Sequence, residues 1–334
     1  MKGFPRAAAL LPISRQFRPG ASGVAFLRNS HNLIYRAACG PGDRFLLRLT
    51  PERHRDAAQI AGELAFQLYL YDNGAPVVTP LRAGDRYILP VTMGGRSYCA
   101  AAFSWADGRN WDERCDHEPE IFFRIGKALG HIHRLSKAYV PAGTEKRRLW
   151  SESQHLLRAP ALLQAYNPAL CGIFRECMAE IKSLPADGAD FGLTHGDYLL
   201  SNYMITKDNR VTVFDFDECE YAWYAMDLAI CMHCYLIGPA PALLPAQADA
   251  AEAMLYVLLR GYTSETPVSR EMLLRLQSLF RVRDFIYLSS ILEKNEKLTG
   301  WNKAFAETCT DRLLNHRPFL EFSMERAREL LESS

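Results

Sequence analysis

Three polar residues in the middle of the chain, Asp197, Asn202 and Asp215, have the types and spacing that metal-dependent chemistry needs. The segment 203–214 is β-prone on both sides of the polar turn 207–210, which predicts a hairpin. In the simplest register of that hairpin, Asn202 lies opposite Asp215, with Cβ atoms about 4.5–5.5 Å apart. A carboxylate and an amide oxygen side by side suit Mg²⁺, so the sequence predicts a magnesium site here.

The step from Asp197 to Asn202 has the spacing Asp-x-x-x-x-Asn of a kinase catalytic loop. In such a loop the Asp accepts or orients the proton of the substrate hydroxyl, and the Asn holds Mg²⁺. Asp215-Phe216-Asp217 follows as an Asp-Phe-x motif, whose first Asp makes a second metal contact. Each residue alone also fits an ordinary turn or strand end, because Asp and Asn favour turns. Their joint spacing favours phosphoryl transfer.

Composition excludes several classes of protein. The 334 residues suit two lobes, 49% of them are apolar, and the net charge of +1 points to neither nucleic acid nor a membrane surface. Nine cysteines without a disulfide-like spacing favour a reducing cytoplasm, and no apolar run approaches the roughly 20 residues of a membrane span. Cys231 to Cys234 resembles a metal motif, but a second ligand pair is missing, so a core helix is favoured.

The periodicity of the apolar residues changes near residue 104. Short strands are predicted before that point, at 23–26, 33–38, 45–49, near 77, and at 87–91 and 98–103. One helix fits 55–71. Helices are predicted afterwards, at 121–136, in 145–185 and over most of 226–332. The pattern predicts an α+β fold in which a β-rich lobe precedes an α-rich lobe, with the boundary in 104–108.

A family resemblance rests on three stretches of sequence. They are Leu193-Thr194-His195-Gly196-Asp197-Tyr198-Leu199-Leu200-Ser201-Asn202, Val213-Phe214-Asp215-Phe216-Asp217 and Met226-Asp227-Leu228-Ala229. Together they resemble the aminoglycoside phosphotransferase and choline kinase family, over roughly residues 20–300 but only at motif level outside 190–230. The resemblance implies a bilobal protein-kinase-like fold. An antiparallel sheet lobe with one helix, 1–104, would bind nucleotide, and a mainly helical lobe, 105–334, would hold the catalytic and acceptor sites.

The resemblance also assigns roles to residues. It implies transfer of the ATP γ-phosphoryl group to a hydroxyl of a small molecule, with GTP as a possible alternative donor. Asp197 is then the catalytic base, Asn202 and Asp215 bind Mg²⁺, and Asp227 is a buried aspartate that braces the catalytic loop. His195 is expected to brace the same loop rather than to carry a proton. Asp217 is expected either to touch a second metal or to be solvated at the edge of the cleft.

The nucleotide phosphates require a covering loop and a cation. Asn29-Ser30-His31-Asn32 resembles the phosphate loop of the family, without a glycine-rich run, so Ser30, Asn32 and backbone N–H groups would face the phosphates. An ordinary hairpin turn is the alternative. Arg48 stands where the family has a strand lysine, and its guanidinium can fork onto phosphate oxygens. The alternative for Arg48 is a solvated strand arginine.

Two further nucleotide contacts follow from the resemblance. Glu63 is the helix residue expected to pair with Arg48, unless it is an exposed helix acid. The segment 101–104 matches the position between strand and hinge, where the backbone of Phe103 and Ser104 would hydrogen-bond the base.

The acceptor is not identified by the sequence. Glu218 and Glu220 lie among the aromatic residues 221–224, which suits a cationic acceptor such as an amino sugar or amino alcohol, or else a packed aromatic loop with exposed acids. Arg281, Arg283 and Asp284 either line the acceptor cleft or form surface ion pairs.

Two rival functions stay open alongside transfer to a small molecule. One is a protein Ser/Thr kinase of the same fold, and the other is a non-catalytic nucleotide-binding module, which only the Arg48 departure supports. The sequence does not decide between monomer and dimer.

Overall fold

The computed structural model describes residues 7–111, 118–143, 147–237 and 245–332 and divides into two compact units. The first unit comprises Met1–Gly108, Tyr139–Arg147 and Thr212–Asp217. The second unit comprises Arg109–Ala138, Arg148–Val211 and Glu218–Ser334. The predicted α+β class, with an antiparallel N-terminal sheet followed by a helical C-terminal region, is confirmed.

The first unit is built on an antiparallel sheet. Its early elements are, in chain order, α1 (Leu11–Phe17), β1 (Gly23–Asn29), β2 (Leu33–Ala38), β3 (Arg44–Pro51), α2 (Ala57–Asp72), β4 (Pro80–Leu81), β5 (Leu89–Met93) and β6 (Arg96–Ser104). The six strands pair in the order β1-β2-β3-β6-β4, with β5 added to β6. The strand predicted near residue 77 is only an isolated bridge between Val77 and Val213, because the paired segment begins at Pro80.

The two faces of strand β3 differ, because one is apolar and the other carries the charged side chain of Arg48. Because side chains alternate along a strand, Phe45, Leu47 and Leu49 enter one hydrophobic cluster, and Leu46 packs against the cluster on the other side. Arg48 shares the face of Leu46, which helix α2 covers. Helix α2 starts two residues later than predicted, because Asp56 forms a capping box: its carboxylate accepts from Gln59 N–H at 2.8 Å.

The second unit is mainly helical. Its elements are α3 (Pro119–Ser136), α4 (Gln154–Tyr166), α5 (Leu170–Ser183), β7 (Phe191–Thr194), β8 (Tyr203–Ile205), β10 (Glu220–Trp223), α6 (Ala225–Ile237), α7 (Pro245–Thr263), α8 (Arg270–Lys294), α9 (Gly300–Leu314) and α10 (Met324–Glu332). Strand β9 (Val211–Val213) is divided in the chain, with Val211 in the second unit and its other two residues in the first. Strands β7 and β10 pair antiparallel. Helix α6 is the predicted core helix, with Cys231 fully buried.

Helices α3 and α7 approach each other through glycines. A Cβ atom at Gly126 would lie 2.0 Å from the Leu258 carbonyl oxygen, and one at Gly261 would lie 2.0 Å from the Phe123 carbonyl oxygen. A larger residue at either position would force the two backbones apart. The apolar stripe of α3 was evident in the sequence, but this close approach was not. Among the described helices, none has the length and apolar character required to cross a membrane.

The hairpin around residues 207–210 is shorter than predicted. Its turn is closed by the Thr206 N–H, which donates to the Arg210 carbonyl at 3.0 Å. Asn202 ends a 3-10 turn, Leu200–Asn202, and Asp215 has a left-handed φ of 70°. The prediction that a strand ladder places Asn202 opposite Asp215 was therefore wrong, because both residues leave the extended conformation.

Candidate active site

The segment after β7 is held by the carboxylate of Asp227, which lies in the first turn of α6. The Asp227 oxygens accept from His195 N–H at 2.7 Å and from Gly196 N–H at 2.9 Å. Gly196 has φ of 76°, and a Cβ atom there would lie 2.1 Å from the Glu218 carbonyl oxygen. Only glycine fits at this position, and the two backbone N–H groups are consequently directed at one buried carboxylate.

Asp227 is itself positioned by a second buried polar pair. His133 of α3 contacts the Asp227 carboxylate through Nε2 at 3.0 Å and the Tyr262 hydroxyl through Nδ1 at 2.9 Å. Burial lowers the pKa of His133, although the Asp227 carboxylate opposes that effect. Because a carboxylate only accepts, the Nε2 atom carries the hydrogen and Nδ1 accepts from Tyr262. The only sequence signal for this contact was a histidine within the apolar stripe of α3.

Asp197 and Asn202 are held together by the loop between them. The Asn202 amide nitrogen donates to the Asp197 carbonyl at 2.8 Å and to its carboxylate at 3.1 Å. The Asp197 N–H donates to His195 Nδ1 at 3.3 Å, so the His195 side chain contacts the loop backbone beyond Gly196. Since its amide nitrogen is committed to Asp197, Asn202 has its oxygen left to offer a hard cation. An amide oxygen of this kind is a suitable ligand for magnesium.

Two buried tyrosines that sequence reasoning missed anchor the same loop. The Tyr198 hydroxyl donates to the Ile125 carbonyl of α3 at 2.9 Å, and the Tyr203 hydroxyl donates to the Tyr198 carbonyl at 2.9 Å. Burial raises the pKa of both phenols well above the ordinary value, so both stay protonated donors. The loop that contains Asp197 is thus a preorganised element of the second unit.

In the first unit, Arg48 and Glu63 form a bidentate ion pair. The Arg48 Nη1 and Nη2 atoms lie 2.7 and 2.6 Å from the two Glu63 oxygens, and the side chains are 3% and 1% exposed. Burial opposes the charge on Arg48, but Glu63 more than offsets it, so the pKa of the guanidinium is raised. The alternatives of a solvated arginine and an exposed acid are both wrong. Two of the five guanidinium N–H donors face Glu63, which leaves three for other partners.

Asp217 is a buried acid surrounded by donors in the first unit. Its carboxylate accepts from His54 Nε2 at 2.9 Å and from the Asn32 amide at 3.2 Å, while Arg55 Nε lies 3.7 Å away. Burial acts to raise the pKa of Asp217, but His54, Arg48 and Arg55 together lower it. The expectation of a solvated acid was therefore wrong. Arg147 also donates to the Asp217 carbonyl oxygen.

Asp215 has an environment that suits a cation ligand. Its Oδ2 atom lies 2.8 Å from Arg28 Nη2, and its side chain remains 26% exposed. The guanidinium on this oxygen shows that the carboxylate accommodates a positive group. The left-handed backbone at a non-glycine residue is a strained conformation of a kind that clusters at functional sites.

The other predicted nucleotide contacts have mixed outcomes. The Ser30 N–H donates to the Asn32 carbonyl at 3.0 Å, so residues 30–32 form a tight turn, but the Asn32 side chain is committed to Asp217. Phe103 packs on the Arg48 side chain, and the guanidinium carbon lies 4.9 Å from the centre of the Phe103 ring. The Ser104 N–H donates to the Thr79 carbonyl at 2.8 Å and is not available to a base. The sheet pairing continues through Ser104, so a hinge must begin after it.

The acids near the aromatic segment 221–224 are not exposed acids. Arg148 binds Glu218 at 2.5 Å and Glu220 at 2.8 Å, and Glu220 is buried. On helix α8, Arg281 forms a surface pair with Glu180, while Asp284 is buried and binds His233 and Arg312.

A pocket of about 480 Å³ opens within the second unit beside the loop of residues 195–202. We call it the α8 pocket. It is lined by Leu199 and Ser201 of the loop, by the C-terminal half of α6, by Arg283 and Tyr287 of α8, and by the first residues of α9. Burial is the largest cause of the raised pKa of Tyr287; Cys234 and Asp197 add to it and Arg283 opposes it, so the charge of Asp197 acts on the pocket wall.

Comparisons with known proteins identify the family and the fold. The phosphotransferase enzyme family matches residues 23–265, which is 243 of the 334 residues. Amicoumacin kinase from Bacillus subtilis (strain 168) is 26% identical over 273 residues, covering 79% of this chain and 78% of that protein. The structure of amicoumacin kinase hAmiN in complex with AMP-PNP, Ca²⁺ and Ami has a TM-score of 0.85 at 21% identity, with 96% of each chain covered. The microcompartment-associated aminopropanol kinase has a TM-score of 0.71 at 19% identity, with 91% of this chain and 98% of that chain covered. The match to the family over most of its length shows that this chain belongs to the phosphotransferase enzyme family.

Proposed function

We propose that this phosphotransferase moves the γ-phosphoryl group of ATP to a hydroxyl of a small molecule in a Mg²⁺-dependent reaction. The observation that carries the proposal is the loop from His195 to Asn202. Asp227 holds its backbone, and Asn202 holds the Asp197 carboxylate at 3.1 Å. Phosphoryl transfer depends mainly on positioning and electrostatics, which is what such a rigid loop supplies.

Asp197 is the proposed catalytic base. The acceptor hydroxyl oxygen forms a bond to the γ-phosphorus as the bond to the β,γ-bridging oxygen breaks, ADP leaves, and the hydroxyl proton passes to the Asp197 carboxylate. We assign Asn202 and Asp215 as ligands of Mg²⁺, which would neutralise charge on the phosphate oxygens when bound. Asn202 has a second role as a positioning residue, since its amide nitrogen donates to Asp197.

Arg48 is the proposed phosphate-binding cation. Glu63 fixes the orientation of the Arg48 guanidinium and leaves three of its N–H donors for phosphate oxygens. A lysine paired with the same acid would have fewer donors left. The AMP-PNP bound by hAmiN supports an adenine nucleotide here, with GTP as the alternative. We place the contacts to the base in the segment after Ser104, because the Ser104 N–H is already bonded.

The acceptor is proposed to be a small molecule that enters the α8 pocket. Its volume of about 480 Å³ suits a metabolite or an antibiotic-sized fragment. Amicoumacin kinase and aminopropanol kinase are similar chains whose names denote small acceptors. No observation favours a protein acceptor or a silent binding module.

The test is a screen of hydroxyl compounds for ADP formation by the purified chain with ATP, with and without Mg²⁺. Asp197→Ala should reduce transfer by roughly 10²–10⁴-fold. Its affinity for the Mg-nucleotide should stay within about threefold, because Asp197 does not bind phosphate. Asp208→Ala removes an exposed acid of the turn 207–210 and serves as the matched control with full activity. Equal loss of transfer and nucleotide binding in Asp197→Ala would show that Asp197 is structural and would refute the assignment.

A further inference from the structure

The α8 pocket contains two buried hydrogen-bond donors that find no acceptor among the described residues. Arg283 is 8% exposed, its Nε atom is fully buried without a hydrogen bond, and no described carboxylate forms an ion pair with it. The guanidinium carbon also lies 5.9 Å from the centre of the Tyr287 ring, a contact that uses no N–H group. The indole N–H of Trp301 is also buried without an acceptor.

Unpaired buried donors are costly, because each has lost water without gaining a partner. Other buried cations of helix α8 and its neighbours do not bear this cost. Arg275 binds Asp190 at 3.1 Å, and Arg312 binds Asp284 at 2.6 Å. Arg283 is therefore an exception within the described part of this unit.

The residues that line the pocket carry a positive charge at neutral pH, while Asp197 acts on Tyr287 from outside the lining. Arg283 is the ionised lining residue, and the other lining side chains are aliphatic, aromatic, hydroxyl, thiol, amide or imidazole groups. Burial lowers the pKa of His233 to about 4 against the opposing effect of Asp284, so its imidazole is neutral. Asp284 adds no free negative charge, because Arg312 binds both of its oxygens.

We propose that the α8 pocket recognises an anionic oxygen group of the acceptor, a carboxylate or a phosphate, through the N–H donors of Arg283 and Trp301. The acceptor is then a hydroxylated acid, with its hydroxyl at Asp197 and its anionic group at Arg283. This inference rests on the proposed function, since it takes the α8 pocket as the acceptor site. It disfavours the cationic acceptor that Glu218 and Glu220 suggested, because Arg148 already neutralises both acids.

Arg283 thereby becomes a specificity residue, and Trp301 a second donor to the same group. A guanidinium and an indole N–H both donate and neither accepts, so an ammonium group placed against these two side chains would meet repulsion and find no acceptor on either of them. An oxygen anion can accept from donors of this kind, and its charge strengthens the hydrogen bond to the guanidinium. The Tyr287 ring supplies an apolar face beside the guanidinium for the carbon skeleton of the ligand.

The test is binding, so its result does not depend on turnover. The full chain is labelled with ¹⁵N-tryptophan, which gives indole signals for its five tryptophans, and the Trp301 signal is assigned with Trp301→Phe. Sodium acetate, inorganic phosphate and methylammonium chloride are titrated separately at constant ionic strength. We expect a saturable shift of the Trp301 signal with acetate or phosphate and none with methylammonium. The tighter anion distinguishes a carboxylate acceptor from a phosphorylated one.

Two variants complete the experiment. Arg283→Met should weaken anion binding at the Trp301 signal by roughly 10-fold or more, as expected for loss of a hydrogen bond to a charged group. Arg281→Met removes an exposed arginine two residues earlier on the same helix, which pairs with Glu180, and should leave the titration unchanged. A Trp301 shift with methylammonium, no saturable shift with either anion, or equal anion binding by Arg283→Met would overturn the proposal. Anion binding without any phosphoryl transfer would instead refute the proposed function and leave the anion site standing.

Discussion

Buried charge is used differently in the two units. In the first unit, Arg48, Glu63 and Asp217 are nearly inaccessible, and each is bound by partners from its own unit. In the α8 pocket of the second unit, Arg283 is about as deeply buried but has no ionic partner among the described residues. A buried charge without a partner carries a desolvation cost, which access to the pocket reduces for Arg283. An arginine kept in that condition is best understood as a group reserved for a ligand.

The two units of this phosphotransferase hold their buried cations in different ways. Arg48 is oriented by Glu63 before any phosphate arrives, so the cation is rigid and much of its desolvation is compensated internally. Arg283 leaves that compensation to the acceptor, so the binding energy depends on the acceptor carrying the matching charge. The first arrangement suits a phosphate group common to all nucleotides, and the second suits selection among acceptors.

The largest effect is expected from breaking the pair in the first unit. Glu63→Leu leaves Arg48 buried without its carboxylate and should reduce the free energy of unfolding by about 3–5 kcal/mol. Urea unfolding of the purified variant measures this loss. The double variant Arg48→Met/Glu63→Leu removes both charges and should recover most of the stability. If the double variant were as unstable as Glu63→Leu, packing rather than unpaired charge would explain the cost.

The second effect concerns pH and the paired cluster of His233, Asp284 and Arg312. The pKa of His233 is about 4 in the folded protein, below the ordinary value near 6.5, so the unfolded chain binds more protons between these values. Stability should therefore fall by about 3 kcal/mol from this group as pH decreases from about 6.5 to about 4. Urea unfolding at pH 7 and pH 4.5 measures the slope, and His233→Gln should flatten it. An identical slope in the variant would assign the acid sensitivity to other groups.

Only those parts of the fold and of the site that depend on local sequence patterns could be predicted from the sequence. The strands, the main helices and the Asp197–Asn202 loop are marked by local patterns, with repeats of two to five residues. His133, Asp227 and Tyr262 come together from positions 94 and 129 residues apart, so no local pattern reveals their contact. The Ser104 N–H was misassigned because its partner, Thr79, is 25 residues away. The unpaired state of Arg283 is a property of its surroundings, and the sequence left open whether it lines a cleft or a surface.

The third effect tests whether rigidity or charge matters at position 48. Arg48→Lys keeps the charge but replaces two hydrogen bonds to Glu63 with one, which should cost about 1–2 kcal/mol of stability. Nucleotide affinity, measured by calorimetry with Mg-AMP-PNP, should fall only a few-fold. Arg44→Lys, an exposed arginine of the same strand paired with Asp107, is the control and should change neither quantity. Loss of nucleotide binding without loss of stability would mean that the forked geometry acts on the phosphates themselves.

The smallest effect on stability is expected at Arg283, and helix α8 offers a second buried arginine, Arg275, for comparison. Arg275 is 7% exposed and binds Asp190, so Arg275→Met should cost about 2 kcal/mol in urea unfolding. Arg283 is 8% exposed and has no described ionic partner to lose, so Arg283→Met should lie between a loss of about 0.5 and a gain of about 1 kcal/mol. The same substitution on the same helix at equal burial then separates a structural cation from a ligand-binding one. A loss at Arg283 as large as that at Arg275 would mean that the folded protein satisfies this guanidinium itself, and the distinction between the two units would fail.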